Sequence, residues 1–513
     1  MPRPTRRDVV LGGLGGLVAC SGAPQTPPAP PPSAPPDPLA STPNGREPQN
    51  VLVVLVDDQR WDMLGFLGHP FLKTPGLDRL AAEGTHFANA FVTTSLCCPS
   101  RATLLTGLYA HAHGVLDNKD ELDPSLPTWN RIAQQAGVDT ALFGKWHMGA
   151  PNPHPRPGWS RWVAFGGQGS YEPTPTSKWS FDGELRAVEG YTTDRITDLA
   201  DEWLRAPERR STPWAAVVSH KAVHAPFVPP ERHRDIFADV PIPETLPDTD
   251  AAYEHLPAWL RHMRHETEFG VEQPYRKWPD FASWYRDYHR VLLAVDEGVQ
   301  RLLATLEQTG QLERTTVIYT SDNGFMVGEK GVLDKRNAYE SSMRIPLIVR
   351  RGGGPRGQTR TEPALNVDTA PTILDALGLS TSIEQHGASL LSLEQPGAAW
   401  RKEFVYEYFH ERTFPSTPTL FAIRTDRMKL IVPFGTIDRD ELYDLVTDPQ
   451  ERSSVIDDPA YADRARALRT RMGKKLRTLG LIDPVWGRQR ALASGVAGED
   501  GEQHDEDGPA EQE

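Results

Sequence analysis

The stretch TSLCCPSRATLLTG, residues 94–107, sets two cysteines side by side in a chain that has only three. Neighbouring cysteines seldom bond to one another, so the pair asks for a chemical role. Four further groups of reactive side chains each stand directly after an apolar run. Asp57 and Asp58 follow VLVVLV (51–56), Lys145 and His147 follow residues 140–143, His220 and His224 follow WAAVVS (214–219), and Asp322 and Asn323 follow TTVIYT (315–320). Carboxylate and amide oxygens are hard donors that suit a divalent cation, and imidazole and ammonium groups move protons. A cysteine offers a nucleophile or a site of modification.

The apolar runs are the elements that must hold these groups. Unbroken and rich in β-branched residues, they read as strands buried on both faces of a parallel sheet, with the polar groups at the C-terminal edge where open α/β sheets bind ligands. Helices fill the gaps; the clearest spans 283–306, with an apolar stripe from Val291 to Leu306 and Gly310 as its stop. Pro99 suits a first helical turn, so residues 99–107 carry a helix that puts Cys97 at its N-terminus, where free amides favour an anion. Past Glu403, the alternating segments FVYEYF, LFAIRT and KLIV predict a small antiparallel sheet. The expected fold class is α/β, a large mostly parallel sheet flanked by helices on both faces, with a smaller C-terminal α+β subdomain at 401–490. Two stretches, 151–190 and 227–279, read as loops walling the pocket, the first with Trp159, Trp162, Tyr171 and Trp179.

The ends of the chain read as address and tether. Arg6 and Arg7 run into an apolar stretch, 9–19, too short to span a bilayer, which resembles a twin-arginine export signal. LVAC, 17–20, resembles a bacterial lipobox with Cys20 as the lipidated residue; the alternative is an ordinary cleaved signal with an incidental cysteine. A proline-rich linker follows at 21–48, with folding expected to start near Asn50, and an acidic tail at 491–513 closes the chain. The implied location is the periplasm or cell surface of a bacterium, with the membrane touched through a lipid anchor only. A formal net charge of −14 argues against nucleic acid as a partner. With Cys20 assigned to the anchor, Cys97 and Cys98 are the only cysteines left in the body, so no disulfide framework supports it.

Cys97, Pro99, Ser100 and Arg101, followed by Thr106 and Gly107, form the signature of the formylglycine-dependent sulfatases of the alkaline-phosphatase-like superfamily. The chain resembles that family from Asn50 to about Asp457, including Asp57-Asp58, GKWHMG, HAPF, SDNG, Lys335 in LDKRNAYE and ELYDLVTDP. Its CCPSR form is most similar to members acting on N-acetylglucosamine 6-sulfate or related glycosaminoglycan and mucin sugars.

The resemblance implies that a formylglycine-generating or maturase enzyme oxidises Cys97 to an aldehyde (3-oxoalanine), whose hydrate attacks sulfur with one hydroxyl and expels sulfate with the other. Asp57, Asp58, Asp322 and Asn323, with the modified Cys97, then suit Ca²⁺, or Mg²⁺ as second choice. Arg101 and Lys145 hold the hydrate and the sulfate oxygens, His147 takes the proton when sulfate leaves, and His224 and Lys335 protonate the leaving oxygen. His220 reads either as support behind the site or as a structural histidine, and His111 and His113 as packing or loop residues. Three alternatives stay open. A cysteine hydrolase could use His147 or His224 as its base but has no need of the carboxylates. A phosphonate or phosphodiester hydrolase could use the same formylglycine, although zinc-dependent relatives would be expected to carry a histidine where Asn323 stands. A non-catalytic glycan-binding lipoprotein is expected if Cys97 stays a thiol.

Overall fold

A computed structural model describes residues 39–149, 151–241, 255–266 and 281–481. The signal with Cys20, the linker up to residue 38 and the acidic tail lie outside the described residues.

The runs predicted as strands pair in the middle of one sheet. Asn50–Val56 lies between Thr315–Ser321 and Trp214–Ser219, and Asp139–Lys145 and Arg161–Phe165 follow outward. All four of these neighbouring pairs are parallel. Shorter strands extend both flanks to a total of ten, with antiparallel pairing where Leu347–Arg350 joins one side and Lys178–Phe181 the other.

Every residue of Asn50–Val56 is buried, because the pleat sends alternate side chains into two different cores. Leu52, Val54 and Val56 enter the core that receives Val291, Val295 and Leu302 of the long helix. Val51, Val53 and Leu55 enter the opposite core with Ala102, Ile132 and Ile373, which come from three other helices. The long helix runs Phe281–Gln308, slightly beyond the predicted 283–306, and stops where Gln311 N–H turns back to Leu306 O at 2.7 Å.

The C-terminal alternation becomes a four-stranded antiparallel sheet: Glu403–Tyr408, Thr419–Thr425, Met428–Phe434 and Glu441–Asp444. The helix Ala462–Thr478 covers it through Leu468, Met472 and Leu476. The same third core takes in Phe91, Tyr109 and Tyr339, so the C-terminal region is interlocked with the chain before it.

Two expectations change. The linker does not reach residue 48 as a free tether: Ser41–Pro43 pairs with Leu379–Thr381, and Arg46 binds Asp375 at 2.9 Å. Nor is 151–190 a loop throughout. It contributes Arg161–Phe165, Lys178–Phe181 and Glu184–Ala187 to the sheet, and Trp159, Trp162, Tyr171 and Trp179 are buried as packing. Proline and glycine on either side hid these short strands. His111 and His113 lie on a short helix, Ala110–His113, and are buried.

Candidate active site

Strand register brings the predicted side chains level. Val56 stands beside Ser321, Leu55 beside Ser219, and Ser219 beside Gly144, so Asp57, Asp322, His220 and Lys145 leave the sheet along one edge. The helix Cys97–Thr106, wholly buried, aims its first turn at the same edge, and Lys335 arrives from the irregular stretch 333–339. Asp58 and His147 turn out of their strands with φ of 61° and 73°. Such left-handed backbone costs on the order of 1–3 kcal/mol in a residue other than glycine and gathers at functional sites.

Cys97 sits at the centre. Lys335 Nζ donates to its Sγ at 2.9 Å and to Asp58 Oδ1 at 2.5 Å, while Asp57 Oδ1 lies 3.5 Å from the sulfur. Arg101 bridges the strand ends: Nε donates to Asp322 Oδ2 at 2.8 Å, Nη1 to Ser219 Oγ at 2.8 Å and to the Lys145 carbonyl at 3.0 Å. Lys145 Nζ is held by Asp57 and by Gln168. His224 Nε2 lies 3.8 Å from Asp58 Oδ2, and its Nδ1 binds the Ala225 carbonyl at 2.5 Å.

Burial and charge set the protonation states. Burial works to raise Asp57, but Lys145, His224 and Arg101 hold it well below the usual carboxylate range. Asp58 is pushed to about 7 by burial, against the pull of Lys335 and with the push of Asp57 and Asp322. Burial and the Asp57 carboxylate drive the Cys97 thiol up to about 12, which disfavours a thiolate nucleophile at neutral pH. His147 is kept neutral by burial and by Lys145 and Arg101, and His224 by burial and Lys335.

The residues present fit a hard cation. Asp57, Asp58 and Asp322 each bring an oxygen within 4.8 Å of the others, and Asn323 Oδ1 is buried beside them with no hydrogen-bond partner. Its Nδ2 donates to Asp58 Oδ1 at 2.6 Å, which places the amide within the cluster. An unpaired buried acceptor next to three carboxylates suits a hard divalent cation.

Every predicted site residue among 57–335 therefore converges except His220, which is fully buried with both ring nitrogens unpartnered and is held near a pKa of 3 by burial alone. Residues without a predicted catalytic role complete the support. Tyr288 donates to the Asp58 carbonyl at 2.8 Å, Tyr171 to the His224 carbonyl at 2.9 Å, and Ser219 to the Lys145 carbonyl at 2.7 Å. Gln168 follows a fifth parallel strand and obeys the same edge rule as the others, so only the missed strand concealed it.

Residues 49–379 match the family model described as Sulfatase, and 328–478 match one described as N-sulphoglucosamine sulphohydrolase, C-terminal. An N-acetylglucosamine-6-O-sulfatase of Bacteroides thetaiotaomicron is 32% identical over 480 residues, covering 82% of this chain and 84% of the relative. A solved structure in complex with its substrate D-glucosamine-2-N,6-O-disulfate superposes with a TM-score of 0.77 at 30% identity, over 85% of this chain and 99% of that one. Phosphonate monoester hydrolase of Agrobacterium radiobacter superposes at 0.69 with 26% identity, over 84% and 95%. A family match across more than half of the chain and a relative above 30% identity lead to one conclusion: the chain belongs to the sulfatase family and is a sulfuric ester hydrolase.

Proposed function

We propose that the enzyme releases inorganic sulfate from a sulfated sugar of glycosaminoglycan or mucin type, with N-acetylglucosamine 6-sulfate as first candidate. The observation that carries this reading is the setting of Cys97, at a buried helix N-terminus, against Lys335 and Asp57 and beside three converging carboxylates. The named activities of the similar proteins support the sugar class.

Cys97, oxidised to an aldehyde by a partner enzyme and hydrated, would supply two hydroxyls on one carbon, one to attack sulfur and one to expel sulfate. Asp57, Asp58, Asp322 and Asn323, with the modified Cys97, would hold Ca²⁺, or Mg²⁺ as second choice, which would polarise the sulfate oxygens. Three carboxylates face the cations of Arg101, Lys145 and Lys335, and a divalent ion held by them would add the positive charge that an anionic ester requires. Arg101 and Lys145 then bind sulfate oxygens and stabilise charge that builds on the leaving oxygen. His147, neutral and with Nδ1 unpartnered, is in the state needed to accept a proton. Lys335, which burial works to lower but Asp58 holds above its ordinary value, is the donor to the leaving oxygen, with His224 beside the same Asp58 carboxylate.

The likeness to phosphonate monoester hydrolase supplies a second reading, and one assay separates the two. Matured enzyme offered N-acetylglucosamine 6-sulfate, other sulfated sugars and a phosphonate monoester should release sulfate far faster than it cleaves the phosphonate. Phosphonate cleavage without sulfate release would overturn the proposal. The enzyme is proposed to work outside the cytoplasm, anchored through Cys20. Replacing Cys20 with Ala should free it from the membrane fraction, and an unchanged fractionation would defeat that assignment.

A further inference from the structure

Lys145 has two partners, and only one of them is charged. Its ammonium lies between the Asp57 carboxylate and the side-chain oxygen of Gln168. Gln168 comes from FGGQG, directly after the parallel strand Arg161–Phe165. That turn leaves no room for a side chain at two of its glycines. A Cβ on Gly166 would fall 2.0 Å from the Pro151 carbonyl, and one on Gly169, at a φ of +66°, would fall 2.5 Å from the Phe165 ring. Gly167 also has positive φ. Glycine alone fits these positions, and the turn they form presents one half-buried polar side chain to a cation of the site.

We propose that Gln168 is a positioning residue for the sulfatase reaction, holding the Lys145 ammonium toward the sulfate ester through a neutral acceptor. This rests on the function proposed above. Neutrality is the point of the arrangement. A bond from Lys145 to a carbonyl oxygen fixes the direction of the ammonium while leaving its charge for the substrate, whereas a second carboxylate would fix it equally well and cancel the charge.

Two variants separate these effects. Gln168→Met keeps the volume and removes the acceptor. It should lower kcat about ten- to a hundredfold, the span expected for a lost hydrogen bond to a charged group, with KM nearly unchanged and the melting temperature held. Gln168→Glu keeps the grip and adds charge. It should raise KM for the sulfate ester about tenfold, an increase that added salt reduces, with kcat less affected. Crystal structures of the parent and of Gln168→Met read the position of Lys145 without any activity: Nζ should leave its place between residues 57 and 168 in the variant. Parental kcat and KM in both variants, or a Lys145 that does not move in Gln168→Met, would overturn the proposal. Lys145 displaced in a protein whose parent releases no sulfate from any sugar would instead sink the function and leave the positioning role standing.

Discussion

At the residue scale the two cysteines have different fates. Cys97 faces Lys335 and Asp57, whereas Cys98 turns away, its N–H donating to Asn118 Oδ1 at 3.1 Å and its sulfur packed in the apolar core. Cys98→Ser should therefore keep most of the activity. Cys97→Ser leaves one hydroxyl where the proposed chemistry needs two, so turnover should stop, with a sulfated serine detectable by mass spectrometry once the variant is shown to carry no aldehyde. Parental turnover in that unmodified variant, or a dead Cys98→Ser, would contradict the formylglycine reading. The metal belongs to this scale as well. Because its protein donors are oxygens, chelation should abolish sulfate release, and Ca²⁺ should restore it better than Zn²⁺. Recovery with Zn²⁺ alone would refute the donor argument.

At the element scale the sheet was legible because a strand buried on both faces carries no charge and favours apolar and β-branched residues, and the central runs 51–56, 140–143, 214–219 and 315–320 met that condition and were followed within a few residues by polar site groups. Arg161–Phe165 did not stand out, being five residues with an arginine at one end and glycine and proline close by. Gln168 was lost with it. Lys335 could be found only by resemblance, since its stretch has no regular structure and hence no periodicity. Tyr288 and Ser219 act through contacts across 230 and 74 positions of sequence, which no local pattern encodes. Close strand contact yields a prediction of its own. Gly144 has a φ of 110°, and a Cβ there would lie 2.0 Å from the Ser219 carbonyl, between Lys145 and the Arg101 support. Gly144→Ala should destabilise the fold by about 2–5 kcal/mol, combining left-handed strain with overpacking, and should lower kcat with it. A urea midpoint equal to the parent's would show that the strand can shift freely.

At the scale of the whole molecule, the C-terminal sheet braces the segment that carries Lys335. Arg336 binds Glu411 at 2.7 Å, Tyr339 binds Glu441 at 2.8 Å, and Glu340 receives Arg424 at 3.0 Å and Lys429 at 3.1 Å. A second tie crosses from the other side of the site. His111, beyond the end of the Cys97 helix, gives Nδ1 to Glu407 at 2.7 Å and Nε2 to the Leu479 carbonyl at 2.8 Å. An imidazole that donates from both nitrogens is protonated. Burial works against that charge, but Glu407 outweighs it and holds His111 above its ordinary value, while burial keeps the neighbouring His113 near 3 and His386 below normal. In the unfolded chain His111 titrates near about 6.5. Below that pH both states bind the proton and the ion pair contributes fully. As pH rises through the higher folded value, the native state gives up the proton and the contribution disappears. The stability difference between the parent and His111→Gln should thus be largest near about pH 5.5 and shrink toward about pH 9, read from paired urea titrations. The two neighbouring histidines shift stability in the opposite sense, but they are present in both proteins and largely cancel in the difference. A gap that stays constant or widens as the pH rises would mean that His111 is neutral in the fold and that the tie to the C-terminal sheet is an ordinary hydrogen bond.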